Sequence, residues 1–318
     1  MDLPADHSMS TILVTGAAGF IGSHTCDHLL AAGHAVVGVD NFSTGRRENL
    51  ALAQRNLAFR LVEADMTVDA TFERLVREAK PDAIIHLAAL VSVQESIQDP
   101  ALNFRLNLLG THLVAEAARQ HGVRRLVFAS SAAVYGDARH LPLTEQAAAR
   151  PISPYGAAKL ASEAMLLGHA AAFGFTVRCH RYFNVYGPRQ DPRSPYSGVI
   201  SIFCDRLRAG LSPTIFGDGE QTRDFIAVDD VARANMLAAT APGLPTGIAN
   251  ICTGKPTSLN RLVEVLRGLI PGAPAAARAE PKAGDIRHSS GAPEAARAEL
   301  GFVAQVTLAR GLASLLAS

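Results

Sequence analysis

A tyrosine and a lysine stand four residues apart in Tyr155-Gly156-Ala157-Ala158-Lys159. On a helix that spacing puts both side chains on one face. A lysine ammonium beside a phenol favours the phenolate and would draw the tyrosine down from its ordinary pKa of about 10. A tyrosine so tuned can take a proton from a hydroxyl while hydride leaves the same carbon. Upstream, Ser130 and Ser131 close an apolar run and offer two hydroxyls to a reacting oxygen. The same spacing also occurs on plain solvated helix faces, so the pair needs a context.

A dinucleotide fingerprint supplies one. Thr11 to Thr15, rich in β-branched and aliphatic residues, runs into a loop with Gly16, Gly19 and Gly22. A helix follows, with Ile21, Cys26, Leu29 and Leu30 on its apolar side. Strand, glycine turn and helix are what a pyrophosphate needs. Gly16 permits the sharp turn, the second glycine lets the phosphates approach, and Gly22 lets helix and strand pack closely. The free N–H groups at the helix start, around Phe20 and Ile21, then face the anion. The spacing is G-x-x-G-x-x-G rather than the usual G-x-G-x-x-G. Ala35 to Asp40 reads as a second strand ending in a carboxylate, 18 positions beyond Gly22. That is where such a unit places the acid that binds the adenosine ribose hydroxyls. A carboxylate there would repel a 2′-phosphate, so NAD is expected and NADP is not. Asn41, Ser43, Thr44 and Gly45 form a polar loop suited to wrapping the ribose.

The remaining elements alternate. A helix is expected over about 46–54, a strand over Leu57–Val62, a helix over about 69–78 and a strand over Ala83–Ala88. A long helix from Pro100 to His121, a strand over Arg125–Ala129, a helix over Tyr155–Phe173 and a strand over Val177–Tyr182 follow. Strands alternating with helices and few hairpin signals indicate an α/β fold with a doubly wound parallel sheet, whose ligands sit at the carboxyl ends of the strands. Gly16, Asp40, Asp65, Ala88 and Ser130 all fall at such ends. Prolines at 188, 192 and 195 mark Asn184–Ser197 as a loop. Helices near 229–240 and 258–268, a strand over Gly247–Cys252 and short helices near 293–299 and 307–316 complete the chain. The expected division is a Rossmann unit over 10–183 and a smaller, interleaved substrate-binding region over 184–318, with the segment near 229–252 returning to the sheet.

Composition narrows the classes. The 318 residues are 48% hydrophobic and 19% charged, which is ordinary for a globular chain. A net charge of +1 offers no footprint for nucleic acid. No apolar run reaches the ~18 residues of a membrane span, and Met1–Ser10 lacks a signal-peptide core. Cys26, Cys179, Cys204 and Cys252 are scattered, without C-x-x-C or histidines at ligand spacing, so no metal site is expected. A reducing, cytoplasmic setting fits this usage.

With the glycines, Ser131, Tyr155 and Lys159 in this order, the chain resembles the extended short-chain dehydrogenase/reductase family, in particular its NAD-dependent nucleotide-sugar epimerases and dehydratases. The resemblance runs from Ser10 to Ser318. It includes His86-Leu87-Ala88-Ala89, Asn107-Leu108-Leu109-Gly110-Thr111, Tyr182-Phe183-Asn184-Val185-Tyr186-Gly187-Pro188, Gly217 to Phe225 and Gly284-Asp285-Ile286-Arg287-His288-Ser289. It implies Tyr155 as base, Lys159 on the nicotinamide ribose and Ser131 on the substrate hydroxyl. Asp65 and Met66 would contact adenine, and Leu87, Ala88 and Ala89 would lie along phosphates and ribose. Asn107, Ser130 and Tyr182 would border the cofactor. Asn184, Val199, Ile215, Phe216, Arg223, Lys282, Asp285 and Ser289 would surround the nucleotide sugar. A guanidinium fork at Arg223 suits phosphate oxygens, although an ion pair with Asp224 or Glu220 is its plain alternative.

Within that family the residues after the serine separate the reactions. Dehydratases carry an Asp-Glu pair there, and decarboxylases usually keep the Glu. Here stand Ala132 and Ala133, which cannot transfer a proton. The resemblance therefore implies 4-epimerisation of a UDP-sugar by a homodimer. Ser289 aligns with a position whose small residues admit an N-acetyl group, which points to UDP-N-acetylglucosamine/galactosamine as well as UDP-glucose/galactose. A plain loop serine is the equal alternative. Lys282 replaces a common Arg, Ser290-Gly291-Ala292 lacks an Asp that often follows, and Val91 replaces a polar residue. A uronate 4-epimerase, an NADP-linked carbonyl reductase and a non-catalytic dinucleotide sensor are the rival readings. The sensor is opposed by the presence of both Tyr155 and Lys159.

Overall fold

Seven parallel strands form the centre of the molecule, in the order β10-β6-β5-β4-β1-β2-β3. The computed structural model describes residues 9–68, 70–191, 198–281 and 286–317. In chain order the first half comprises β1 (Thr11–Thr15), α1 (Phe20–Ala31), β2 (Ala35–Asp40), β3 (Phe59–Glu63), α2 (Thr71–Ala79), β4 (Ala83–His86) and α3 (Val93–Gln98). Next come α4 (Pro100–Asn103), a π-helical turn (Phe104–Leu109), α5 (Gly110–Gln120), β5 (Arg125–Ser131), α6 (Pro154–Phe173), β6 (Thr176–Tyr182) and β7 (Asn184–Tyr186). The rest comprises α7 (Val199–Arg208), β8 (Thr214–Phe216), β9 (Thr222–Ala227), α8 (Val228–Thr240), β10 (Gly247–Ile251), β11 (Pro256–Ser258), α9 (Leu259–Leu269), β12 (Ala277–Ala279), α10 (Glu294–Leu300) and α11 (Leu308–Ala317).

Side-chain alternation explains why β1 and β4 are almost wholly apolar. In β1, Ile12 and Val14 join one core with Cys26 and Leu29 of α1 and Val231 and Ala234 of α8. Leu13 faces the other way, into a core with Val114 of α5 and Leu166 of α6. The central strands thus bury both faces under helices, the condition for an all-parallel sheet. A third core gathers Ile200 and Phe203 of α7, Leu262 and Leu266 of α9 and Leu312 of α11 around β8 and β9, apart from the main sheet. The segment from α8 to β10 belongs to the main sheet, where β10 pairs with β6.

Several expected elements differ. The helix expected over 46–54 is two short 3-10 turns, Arg47–Leu50 and Ala53–Arg55. Asn49 there donates its side-chain amide to the carbonyl of Ala18, so the segment follows the glycine loop instead of coiling freely. The loop expected from Asn184 begins as β7, paired with β9, because an extended backbone there finds ladder partners; residues 192–197 lie outside the described residues. The long helix expected over Pro100–His121 is present from Pro100 to Gln120, with the π turn wound into it. Asn107 sits in that turn and exchanges both of its amide functions with the backbone of Leu90 (2.9 and 3.0 Å). A wider turn lets this side chain point inward, the usual reason such turns persist at functional sites.

Candidate active site

The crevice lies where the strand order reverses, between β1 and its neighbours β2 and β4, at the carboxyl ends of the strands. Gly16 has φ +68°, and a Cβ there would meet the Ala88 amide at 2.8 Å. A Cβ on Gly22 would stand 1.9 Å from the Gly16 carbonyl oxygen. The glycine loop is therefore pressed against both α1 and the β4 end, and no larger residue fits. Helix α1 starts after Gly19 without a side-chain cap or an acidic residue in its first turn. Its leading N–H groups are thus free of the side-chain oxygen that would compete with an anion.

Beside the loop, a cavity of about 70 Å³ is lined by Gly16, Asp40, Asn41, Ser43, Asp65, Met66, Ala88 and Ala89, together with Thr15, Thr67 and Leu106. Eight residues expected at the cofactor are thereby brought together. Asp40 accepts the amide protons of Ala18 and Phe42, each at 2.8 Å. Burial pushes its carboxyl above the usual range, while those two amides hold it back toward ionisation. Each oxygen retains a lone pair for a ribose hydroxyl. Asn41 donates to Asp65 at 3.1 Å, joining the β2 and β3 ends across the cavity mouth. Uncapped helix start, pressed glycine loop and carboxylate-rimmed cavity fit NAD; Thr44 and Gly45 stand in the loop that follows Asp40.

Thr15 escaped the sequence reading, for it has the look of an ordinary strand residue. Its hydroxyl oxygen accepts the amides of Leu87 and Ala88 (3.2 Å each). Its proton consequently goes to Nδ1 of His86, 2.8 Å away. The other imidazole nitrogen then donates to Thr111 Oγ1 at 3.2 Å, and Thr111 donates to the Asn107 carbonyl. Burial, with the Lys159 charge adding to it, draws the His86 pKa down to about 3, so the ring is neutral. This chain of hydrogen bonds fixes the Leu87–Ala89 backbone beside the glycine loop.

The reacting end is built by β5 and α6. Ser153 caps α6, accepting from Gly156 N at 3.1 Å, and Pro154 takes the first turn. A Cβ on Gly156 would meet the Ala133 carbonyl at 2.6 Å. Glycine at this place brings the start of α6 against the turn after β5, and so Tyr155 to Ser131. Their hydroxyls are close enough for Ser131 to act on the phenol. Lys159 is buried, donates to the Ala129 carbonyl at 2.8 Å, and holds its ammonium 5.8 Å from the centre of the Tyr155 ring. Ser131 also accepts from Ala133 N at 3.1 Å, and Ala132 and Ala133 form the turn directly beyond it.

The expected electrostatics need correcting here. Burial pushes the Tyr155 phenol up from its ordinary value, with only the neighbouring Ser131 hydroxyl opposing. Burial also draws Lys159 down to about 7, against the raising effect of Glu163. Desolvation outweighs the attraction that spacing alone implied, since both groups lie in the same low-dielectric pocket. Ser130, expected at the cofactor, has its hydroxyl committed to Glu163 instead. Tyr182 likewise gives its hydroxyl to Asn235 at 2.6 Å, although its backbone pairs with Ser131.

On the substrate side, Asn184 is exposed at the start of β7, and Arg223 is half-buried on the neighbouring β9. Arg223 donates to the Thr222 carbonyl at 2.9 Å. The alternative ion-pair partner Asp224 is instead fully buried, accepting from Thr253 and Gly254. Ser289 donates its amide to the Thr222 carbonyl at 3.1 Å, which places it beside Arg223. Val199 opens α7, and Phe216 is half-buried at the end of β8. Ile215 is corrected: it is 1% exposed and packs into the third core, because alternation along β8 turns it away from Phe216. Lys282 and Asp285 lie outside the described residues.

Residues 12–252 match the NAD dependent epimerase/dehydratase family. A UDP-glucose 4-epimerase of Mycolicibacterium smegmatis is 44% identical over 306 residues, covering 95% of this chain and 96% of the relative. The Thermotoga maritima UDP-glucose 4-epimerase with UDP-glucose superimposes with a TM-score of 0.90 at 37% identity, covering 96% and 97% of the two chains. A UDP-N-acetylglucosamine 4-epimerase from Methanobrevibacter ruminantium, in complex with UDP-N-acetylmuramic acid, reaches 0.92 at 33% identity, covering 98% of each. The chain belongs to the NAD dependent epimerase/dehydratase family. It is an NAD-dependent nucleotide-sugar epimerase.

Proposed function

We propose that the protein interconverts UDP-N-acetylglucosamine and UDP-N-acetylgalactosamine by 4-epimerisation, and also accepts the unsubstituted UDP-glucose/UDP-galactose pair. The observation that carries the reaction type is the meeting of Ser131, Tyr155 and Lys159 next to a turn made of Ala132 and Ala133. In this reading Ser131 and Tyr155 hold the sugar O4, and Tyr155 takes its proton and later gives it back. Lys159 binds the nicotinamide ribose and supplies positive charge beside the phenol. NAD, held there, would supply the hydride acceptor for C4 and then the hydride donor for the opposite face. Neither alanine can protonate a leaving hydroxyl, so elimination has no acid at that place. Arg223 and Asn184 hold the diphosphate, about which the keto sugar turns over.

Two observations support the N-acetylated pair. Ser289 is small and lies next to Arg223, and the Methanobrevibacter ruminantium neighbour is named for UDP-N-acetylglucosamine. The names of the curated relatives favour a second reading, in which the UDP-glucose pair is the working substrate. One assay separates them. Purified protein is incubated with a panel of UDP-hexoses, UDP-N-acetylhexosamines and UDP-uronates, without added cofactor, and epimers are resolved by NMR. Both N-acetylated epimers should appear with no net redox change, and Ser289→Tyr should depress those substrates selectively. A 4-keto-6-deoxy product or stoichiometric NADH release would overturn the reaction. Equal loss on all hexoses in the variant would remove the gate.

The protein is further proposed to act as a homodimer in the cytoplasm. Ile97, Phe104 and Phe173 are more than half exposed on α3, the π turn and α6. Large apolar side chains exposed on neighbouring helices are what a partner helix pair would cover.

A further inference from the structure

Behind the reacting groups lies an ion pair that the reaction as described does not use. Glu163, 1% exposed on α6, and Arg181, 3% exposed on β6, make a two-pronged pair at 2.9 and 2.7 Å. The Ser130 hydroxyl donates to the same carboxylate. Arg181 sends its remaining nitrogen to the Glu145 carbonyl at 3.2 Å. We propose that Glu163 is a positioning residue: from one turn beyond Lys159, its carboxylate keeps that ammonium charged and aimed, and through Ser130 it seats Ser131. The proposal rests on Lys159 acting beside Tyr155.

The placement is directional. Lys159 and Glu163 are four apart on α6 and share its buried face. The ammonium lies over the Phe128 ring of β5 at 4.8 Å and bears on His86 of β4. Arg181 comes from β6, on the other side of β5. The carboxylate joins α6 to Arg181 of β6, and its charge acts on Lys159 one turn back along the same helix. The groups around Lys159 are Tyr155 and Glu163 from its own helix, neutral His86 from β4, the Phe128 ring and Ala129 carbonyl from β5, and Arg181 of β6 paired to Glu163. Glu163 is the one anion among them. A buried ammonium without it loses its proton more readily, and a neutral amine cannot stabilise a phenolate. Burial opposes the charge and Glu163 supports it, leaving Lys159 at about 7.

The chain has four lysines, Lys80, Lys159, Lys255 and Lys282. Lysine labelled with carbon-13 at Cε thus gives signals that can be followed singly through a pH titration, and Lys159→Met identifies the one that matters. In Glu163→Gln its midpoint should fall by about one unit or more. The alkaline limb of the epimerisation rate should move to lower pH with it, since Lys159 then becomes neutral sooner. Glu163→Gln strands Arg181, so the paired Glu163→Gln/Arg181→Met variant, which removes both charges, is measured beside it. Its midpoint should also stay below that of the unaltered protein. An unmoved midpoint in the single variant, or one restored in the paired variant, would mean that Glu163 merely neutralises Arg181, and would overturn the proposal. If only the paired variant folds, its midpoint decides alone. The titration needs no substrate, so its failure is separate from failure of the epimerase reading.

Discussion

At the scale of single residues, the site works by placing polar groups where water cannot compete. Tyr155 is raised by burial, and Lys159 is lowered to about 7. The phenol therefore holds its proton until a bound substrate and cofactor supply further polar partners. Tyr155→Phe removes only a hydroxyl from a half-buried ring, so the fold should survive. Turnover should drop about 10²- to 10⁴-fold while UDP binding, measured by calorimetry, stays within a few-fold. Retained turnover would deny Tyr155 the role of base. The residue types of the site were legible in the chain, but their protonation was not. Spacing on a helix says that two side chains are neighbours; the dielectric around them is made by β4, β5 and β6, which are distant in sequence.

At the scale of elements, close packing at glycines sets the geometry. The glycine loop leaves no room for a methyl group at Gly22, where the next atom is the Gly16 carbonyl oxygen at 1.9 Å. Gly22→Ala must push α1 off the end of β1. A loss of about 1–3 kcal/mol is expected from such overpacking. NAD content, read from the absorbance of protein extracted after purification, should fall with it. A variant that keeps full cofactor and melting temperature would show that the helix shifts without cost. Gly156 plays the corresponding part at the other end of the crevice, and nothing in its neighbourhood in sequence marked it. Its constraint comes from the Ala133 carbonyl, a contact across 23 residues. The two 3-10 turns at 47–55 and the π turn at Asn107 were invisible for the same reason. Local periodicity reads as helix, while tertiary hydrogen bonds to Ala18 and Leu90 change the winding.

At the scale of the whole molecule, the parallel sheet gives the cofactor crevice, and the third core gathers around β8 and β9 apart from it. Asn184 and Arg223 stand on β7 and β9, the small sheet that joins the two. This arrangement leaves α3, the π turn and α6 with exposed Ile97, Phe104 and Phe173. Phe104→Glu should convert the expected dimer into a monomer in size-exclusion chromatography with light scattering, without touching the crevice. A wild-type chain that already runs as a monomer would end the dimer proposal.

The amino-acid sequence alone determined the parallel α/β class, the dinucleotide fingerprint with Asp40, and the serine, tyrosine and lysine in their order. These follow from residue type and short spacing, and the physics behind them is local: strand and helix periodicity, glycine turns and helix starts. The tertiary structure decided which of the expected residues share a site. It gathered eight of them around one cavity, turned Ile215 into a core, and gave the hydroxyls of Ser130 and Tyr182 to buried partners. It also packed Thr15, Gly156, Glu163 and Arg181 around them. Each of those acts through a hydrogen bond, an ion pair or a contact with a residue far along the chain, and burial by several strands at once sets its strength. Only the folded chain brings those partners together.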